Sequence, residues 1–249
     1  LMQHIEAGTI QPMTKYAKEF IAENPAYIHT AEKLTQADGE IYSLPWESRV
    51  TVNWYRTDIY DKAPETWDEL LATAEKSTDL AMGFAVGLSD GSNGTALMET
   101  FTPWLRSAGG DLFDKDGKAI FNSEAGVKVV NFIKQLVEAG TMDKSVLNMA
   151  YDDVVDAFKS GTVYAMDAGT QRASAIKSSD LASNFASAPI AGVNGAAPAF
   201  VAGQTLAIGS QAKDPDMAWD FIRYFYTVEN QKKWMSAKCM TVRTDVFDD

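Results

Sequence analysis

The 249-residue sequence contains one cysteine, Cys239, and only two histidines, His4 and His29. A single thiol excludes a disulfide within the chain, and so few Cys and His residues leave no spacing that is typical of a zinc site. The same scarcity argues against a catalytic triad built on either residue. We therefore expect a protein that carries neither a metal ion nor another cofactor.

Basic residues are also in the minority, since 22 Lys and Arg stand against 34 Asp and Glu, a net charge of −12. Neutralising phosphates requires clustered cations, so this balance disfavours a nucleic-acid partner, and it equally disfavours docking on anionic lipid. The sequence also lacks an apolar run of the roughly 18 residues that a membrane span requires.

The first residues, LMQHIE, lack the basic and apolar regions of a signal peptide. They have the pattern of the middle of a helix instead. We therefore expect the chain to begin after the natural N-terminus.

Helical and strand patterns alternate along the chain, which predicts the α/β class. A short strand over residues 41–44 is expected to end at Pro45, and a second strand is expected over residues 50–55. A third strand is expected over residues 82–88. The segment 186–203, rich in Ala, Gly and Pro, is predicted to be largely irregular.

Several helices have clear start signals. Thr66 and Glu69 form a capping box, and Ser123 is placed to cap the longest helix. The core face of that helix is predicted to be Val127, Val130, Ile133 and Val137. Another helix, over residues 97–107, is expected to be interrupted at Pro103.

Four stretches in a fixed order carry a resemblance. They are residues 39–46, 64–70, 108–113 and 157–166, with the sequences GEIYSLPW, PETWDEL, AGGDLF and AFKSGTVYAM, and the helix AWDFI at 218–222 also fits. Together they resemble the extracellular solute-binding proteins of bacterial ATP-binding-cassette importers, in the carbohydrate-binding group that includes maltose-binding protein.

The resemblance implies an α/β, two-lobe periplasmic-binding-protein fold with the ligand in a cleft between the lobes. Residues 1–45 and 206–249 would form part of the N-terminal lobe and residues 46–205 the C-terminal lobe, with crossings near 45–49 and 201–205. Family members are longer at both ends, so we expect this chain to be incomplete at both. The resemblance also implies a monomer in the periplasm, or outside the cell and tethered if lipidated, that delivers its solute to membrane permease subunits.

A sugar site needs flat aromatic rings and a few fixed polar groups. At the first crossing, Trp46 could be an aromatic platform, or it could serve ordinary packing between lobes. Arg49 could donate to hydroxyls or to an anionic group, or form a salt bridge with a nearby carboxylate. Trp104, before the turn at residues 109–110, could be a second platform, or a core residue.

The turn of Gly169, Thr170, Gln171 and Arg172 follows a predicted strand and precedes a helix, where free backbone N–H groups can bind an oxygen. The matching turn lines the cleft in the family. The alternative is an ordinary turn capped by Thr170. At the second crossing, Gly203 and Gln204 match a family position that faces the ligand, or form a flexible hinge.

Many family members carry an aromatic residue in this turn. Gln171 and Arg172 in its place favour a more polar or an anionic ligand, so an anionic sugar derivative or a phosphorylated polyol remains an alternative to a neutral carbohydrate. A polyamine is disfavoured because the candidate residues include two arginines.

A glycoside-processing enzyme is a more distant alternative. With 34 acidic residues some carboxylate pair is always available, so their number is uninformative. No motif for a serine nucleophile, a phosphate loop or a metalloprotease is found. We expect a binding protein for sugar transport rather than an enzyme.

Overall fold

The computed structural model describes residues 1–28, 35–89, 94–237 and 240–246, so His29 and Cys239 lie outside the described residues. The chain divides into two compact units. The terminal unit combines Leu1–Arg49 with Val201–Asp249, and the central unit is Val50–Phe200. Both boundaries fall at or next to the predicted crossing segments, and the assignment of the units to an N-terminal and a C-terminal lobe stays a prediction.

The terminal unit contains helices at both ends of its sequence and a small antiparallel sheet. Its elements are α1 (Met2–Glu6), β1 (Ile10–Gln11), α2 (Thr14–Glu23), β2 (Gln36–Ala37), β3 (Glu40–Ile41), the first part of β4 (Ser43–Arg56), β7 (Val201–Gly209), α8 (Pro215–Tyr224) and α9 (Val228–Ala237). Strand β7 lies between β1 and β4, and its pairing with β1 sets Ile10 opposite Gly209. Strands β2 and β3 form a separate hairpin.

Aromatic side chains build the core of the terminal unit. Phe20, Tyr27 and Tyr226 contact one another, with ring centroids 5.0–5.6 Å apart. The two tyrosine hydroxyls donate to the main chain of β4, at 2.8 Å to the carbonyls of Pro45 and Leu44. These two hydroxyls thereby have the partners that buried hydroxyls require.

The prediction that Pro45 ends a strand is wrong. Strand β4 runs without a break from Ser43 to Arg56 and includes Pro45. A strand tolerates proline where the ladder does not need the missing N–H. The Pro45 carbonyl remains available, and Tyr27 uses it.

The central unit is a mixed α/β body. Its elements are the second part of β4, α3 (Trp67–Ala72), α4 (Thr95–Ser107), α5 (Glu124–Glu138), α6 (Tyr151–Ser160), β5 (Ala165–Gly169), α7 (Ala173–Lys177) and β6 (Phe185–Ala188). Strand β4 pairs antiparallel with both β5 and β6. The predicted strand over residues 82–88 is present only as isolated parallel bridges, from Met82 to Val163 and from Ala85 to Met166.

The helix starts of the central unit agree with the sequence, whereas two helix interiors do not. Thr66 and Glu69 form the predicted capping box, and the Ser123 side chain caps α5. Helix α4 continues through Pro103, because the residues around this proline are buried and tertiary packing outweighs the lost hydrogen bond.

The predicted core face of α5 is wrong for its first half only, since Ile133 and Val137 are partly buried against the core cluster. Val127 and Val130 are 57% and 58% exposed, and the buried stripe consists of Gly126, Val129, Phe132 and Leu136. The helix carries two apolar stripes that are offset along its surface, and tertiary contact selects between them. Phe132 stacks on Trp67 with ring centroids 4.1 Å apart, which fixes the buried stripe.

None of the described helices combines the length and the apolar character that crossing a lipid bilayer would demand.

Gly203 allows β7 to approach β4 closely. A Cβ atom on Gly203 would lie 2.3 Å from the carbonyl oxygen of Glu47, a backbone atom that cannot move aside alone. We expect Gly203→Ala to lower the free energy of unfolding by about 1–3 kcal/mol, measured by urea denaturation. Gly209→Ala is the matched control on the same strand, because the nearest atom there is 4.0 Å away. Equal losses for the two variants would contradict this explanation.

Candidate functional site

The predicted site residues are divided between the two units. Trp46, Arg49, Gly203 and Gln204 belong to the terminal unit, and Trp104 and the turn at residues 169–172 belong to the central unit. Each set is described within its own unit.

Trp46 lies in the core of the terminal unit. It is 9% exposed, and its ring contacts those of Trp234 and Phe225, with centroids 4.5 and 5.5 Å away. These contacts are packing within the terminal unit, and the alternative of packing between the lobes stays a prediction. A role as a ligand platform stays a prediction for this residue.

Arg49 forms the salt bridge that was the alternative to ligand binding. Its guanidinium lies 2.6 Å from the carboxylate of Glu47, which is itself 1% exposed and accepts a hydrogen bond from the indole of Trp234. On β7, Gly203 and Gln204 belong to the exposed part of the strand. The close contact with the Glu47 backbone is by itself a reason for glycine at position 203, independent of any ligand.

The prediction that Trp104 is a ligand platform is wrong. Its side chain is 0% exposed and lies in the core cluster of the central unit. Phe132, Trp67 and Phe84 surround it with ring centroids 5.1, 6.2 and 6.3 Å away. A platform needs an open ring face, and the stripe of α4 turns this ring inward.

In the central unit, polar groups gather where β5 ends. We call them the β5-end cluster: Thr51 on β4, Glu99 on α4, Tyr151 and Asp152 on α6, and the turn Gly169, Thr170, Gln171 and Arg172. The pairing of Thr51 with Gly169 places the end of β5 beside β4. Helices α4 and α6 both pack against β5 and bring the remaining side chains to this place.

The hydroxyl of Tyr151 is the centre of the β5-end cluster. It accepts hydrogen bonds from the backbone N–H of Gly169 and, at 3.4 Å, from the side-chain amide of Gln171. The guanidinium carbon of Arg172 lies 4.6 Å from the centroid of the Tyr151 ring, within cation–π range. Burial and the nearby Glu99 carboxylate raise the pKa of Tyr151 to about 12, so its hydroxyl stays protonated.

Glu99 is a carboxylate on the buried face of α4. It is 7% exposed and accepts a hydrogen bond of 3.2 Å from the hydroxyl of Thr51. Burying a charge is unfavourable unless it is paired or hydrogen-bonded. The hydrogen bond from Thr51 therefore helps to keep the Glu99 carboxylate buried.

The turn itself differs from the expected arrangement of free N–H groups. The N–H of Gly169 is already bonded to Tyr151, and the helix that follows, α7, has only five residues. The Thr170 hydroxyl does not cap that helix either, since it accepts the N–H of Val50 at 3.3 Å. Glycine at 169 leaves room for Gln171, whose side-chain oxygen would lie 2.2 Å from an added Cβ.

Arg172 forms a salt bridge with Asp152, with 2.5 Å between nitrogen and oxygen. Two other polar atoms in this turn, Nε of Arg172 and Oε1 of Gln171, are buried and have no hydrogen-bond partner among the described residues. One is a donor and the other an acceptor. A hydroxyl group can both accept from the first kind of atom and donate to the second.

The β5-end cluster is suited to hydrogen bonding rather than to metal binding. Within the ranges that the structure describes, no three His, Cys, Asp or Glu side chains converge on a position for a metal ion. The cluster presents hydroxyls, an amide, two carboxylates and a guanidinium, which are groups that recognise polar ligands.

The model of the family described as bacterial extracellular solute-binding protein matches residues 1–249. The chain belongs to this family.

Solved structures show the same fold. The maltose-bound MalE3 of T. maritima superposes with a TM-score of 0.84 at 24% identity, covering 98% of this chain and 64% of that one. A solute-binding protein of Agrobacterium radiobacter K84 in complex with ribitol gives 0.79 at 22% identity, with 98% and 66% covered. This solute-binding protein therefore has the mixed α/β, two-lobe fold of MalE-like proteins.

Curated relatives are distant in sequence. A protein of Deinococcus radiodurans named as an ABC transporter-binding protein is 26% identical over 231 residues, which is 85% of this chain and 53% of the relative. The chain spans little more than half the length of the curated relatives that it matches first.

Sequence reasoning missed Glu99, Tyr151 and Asp152 of this solute-binding protein. One signal was available for Glu99, because it lies three residues after Ala96 and one before Thr100 on the buried stripe of α4, where a charge is unusual. Nothing local marks Tyr151, since its partners are 18 and 20 residues away in the chain.

Removing the Tyr151 hydroxyl should leave the Gly169 N–H buried without a partner. We expect Tyr151→Phe to lower the free energy of unfolding by about 1–3 kcal/mol in a denaturant titration. Tyr164→Phe makes the same change in the same unit and should be nearly neutral, because the Tyr164 hydroxyl has no hydrogen-bond partner among the described residues. If Tyr151→Phe loses no more stability than Tyr164→Phe, the Tyr151 hydroxyl does not organise the β5-end cluster.

Proposed function

We propose that this solute-binding protein captures a neutral, polyhydroxylated solute, a carbohydrate or a sugar alcohol, and delivers it to an ATP-binding-cassette importer. The observation that carries the proposal is the charge balance of the candidate groups. Arg49 is paired with Glu47 and Arg172 with Asp152, so neither guanidinium offers an uncompensated positive charge.

A neutral hydroxyl suits such a site better than an anion does. An anion must compete with a carboxylate that already lies 2.5–2.6 Å from each arginine. A hydroxyl can bind beside an intact ion pair, because it donates and accepts at once. The unpartnered atoms of Gln171 and Arg172 call for that combination of donor and acceptor.

Ligands bound in three of the similar structures point the same way. They are maltose, ribitol and D-mannitol, all of them neutral and rich in hydroxyls. An anionic sugar derivative or a phosphorylated polyol is the second candidate, since both arginines remain part exposed, at 31% and 29%.

The proposed ligand contacts in the central unit are Gly169, Thr170, Gln171 and Arg172, together with Tyr151. Trp46, Arg49, Gly203 and Gln204 stay proposed contacts in the terminal unit. A micromolar affinity corresponds to about −8 kcal/mol, which a few hydrogen bonds and one stacked ring can supply. The proposed site of action is the periplasm or the cell exterior, with membrane tethering if the protein is lipidated.

Isothermal titration calorimetry with maltose, ribitol and glucuronate tests the proposal. We expect a neutral ligand to bind and glucuronate to bind at least tenfold more weakly. Tight binding of glucuronate with no response to either neutral compound would favour the anionic alternative. A negative result with all three extends the panel to longer neutral oligosaccharides, and a bound amino acid or amine would overturn the proposal.

The ion pair of Arg172 can be opened without touching the arginine. Asp152→Asn should strengthen glucuronate binding by up to about fivefold, because an exposed pair is worth at most about 1 kcal/mol, and should change maltose binding little. Asp156→Asn is the matched control. It removes the same charge from the same helix, but Asp156 is paired with Lys159 rather than with Arg172. Equal responses of the two variants would show that Arg172 does not sense the ligand's charge.

A further inference from the structure

Asn53 and Asp167 face each other inside the central unit. They are register partners in the β4–β5 ladder, and they are 0% and 8% exposed. The side-chain amide of Asn53 donates to Oδ1 of Asp167 at 3.0 Å. This contact joins the two strands two residues below Thr51 and Gly169, where the β5-end cluster begins.

Each of the two side chains also has an oxygen atom that lacks a hydrogen-bond donor. Oδ1 of Asn53 and Oδ2 of Asp167 are buried and have no hydrogen-bond partner among the described residues. Both atoms are acceptors if the acid is ionised, so neither can satisfy the other. A buried acceptor without a donor costs about 1–3 kcal/mol, which makes two of them in one pair expensive.

A single proton on the Asp167 carboxyl gives both of these oxygen atoms a hydrogen-bond partner. A carboxylic acid carries a hydrogen on its second oxygen, and that hydrogen can be donated to the amide oxygen while the amide donates to the first oxygen. The result is a closed acid–amide pair with two hydrogen bonds in place of one.

We propose that Asp167 is held as a neutral carboxylic acid that donates to Asn53, and that this closed pair is a positioning element for the end of β5. It does not touch the solute. It fixes the strand that ends at Gly169 and is followed by Thr170.

The surroundings of Asp167 disfavour its ionised form. Burial raises the pKa of Asp167 from 3.8 to about 7, although the hydrogen bond from Asn53 acts in the opposite direction. Helices α4 and α6, which pack against β5, contribute Glu99 and Tyr151 from their buried faces. Strand β4 contributes Tyr55, and also Arg56, which is paired with Asp58, whereas β6 and residues 82–88 contain no charged residue.

The remaining charged side chains of α4 and α6 are exposed or half-exposed, namely Arg106, Asp152, Asp153, Asp156 and Lys159. None of them contributes to the pKa of Asp167. Burial therefore sets the protonation state of this acid.

The sign of the pH dependence follows from the raised pKa. The folded protein binds this proton more tightly than the unfolded chain does, so the stabilisation is complete below about pH 4. It is lost as the pH rises through about 7. Between pH 5 and pH 8 the equilibrium constant for unfolding should rise tenfold to a hundredfold through this one group.

Carbon-13 NMR of the Asp167 carboxyl, assigned with Asp167→Asn, is the direct test. We expect the chemical shift of a neutral acid at pH 5.5 and a titration midpoint well above that of the exposed aspartates. The shift of an ionised carboxylate at pH 5.5 would overturn the proposal, and would assign the unsatisfied oxygens to a buried water instead.

Two variants separate positioning from mere burial. Asp167→Asn keeps both hydrogen bonds as an amide–amide pair and cannot ionise, so it should fold and should lack this group's part of the pH dependence between pH 5 and pH 8. Asp167→Leu loses both hydrogen bonds and should be less stable than Asp167→Asn at every pH. An unchanged pH profile in Asp167→Asn would contradict the proposal. These measurements use no ligand, so their outcome is independent of the proposed function.

Discussion

The antiparallel pairing of β4 with β5 is the constraint on which the central unit depends. It sets Thr51 opposite Gly169 and Asn53 opposite Asp167, and it brings polar side chains from distant parts of the chain to one face of the ladder. A shift of β5 by one residue would send Gly169 and Asp167 to the face opposite Thr51 and Asn53. The pattern of buried polar residues is thus possible only in this register.

Buried hydroxyls, acids and amides, rather than exposed charges, organise the candidate site. Tyr151 joins the end of β5 to α6, and Glu99 joins α4 to β4 through Thr51. Arg172 lies at the edge of this network, and it is matched by the carboxylate of Asp152. Such an arrangement holds its geometry before a ligand arrives, which lowers the entropic cost of binding.

Local signals in the sequence were sufficient for two helix starts and insufficient for helix interiors and for the strand end that was expected at Pro45. The caps at Thr66 and Ser123 depend on residues within one helical turn, so they could be read directly. The fate of Trp104 and the choice between the two stripes of α5 depend on contacts such as that of Phe132 with Trp67, which lies far away in the chain. The turn at residues 169–172 was found because it follows a strand, but its partner Tyr151 could be identified only from tertiary structure.

The six tryptophans fall into two sets that report on different parts of the molecule. The rings of Trp46 and Trp234 in the terminal unit are tilted by 45° to each other, with centroids 4.5 Å apart. In the central unit, Trp67 and Trp104 contact the ring of Phe132. Two indoles at that separation couple their electronic transitions, and the central unit has its own indole pair in Trp67 and Trp104, with centroids 6.2 Å apart. Circular dichroism in the aromatic bands can therefore follow the ring packing of both units within the intact protein and without a label.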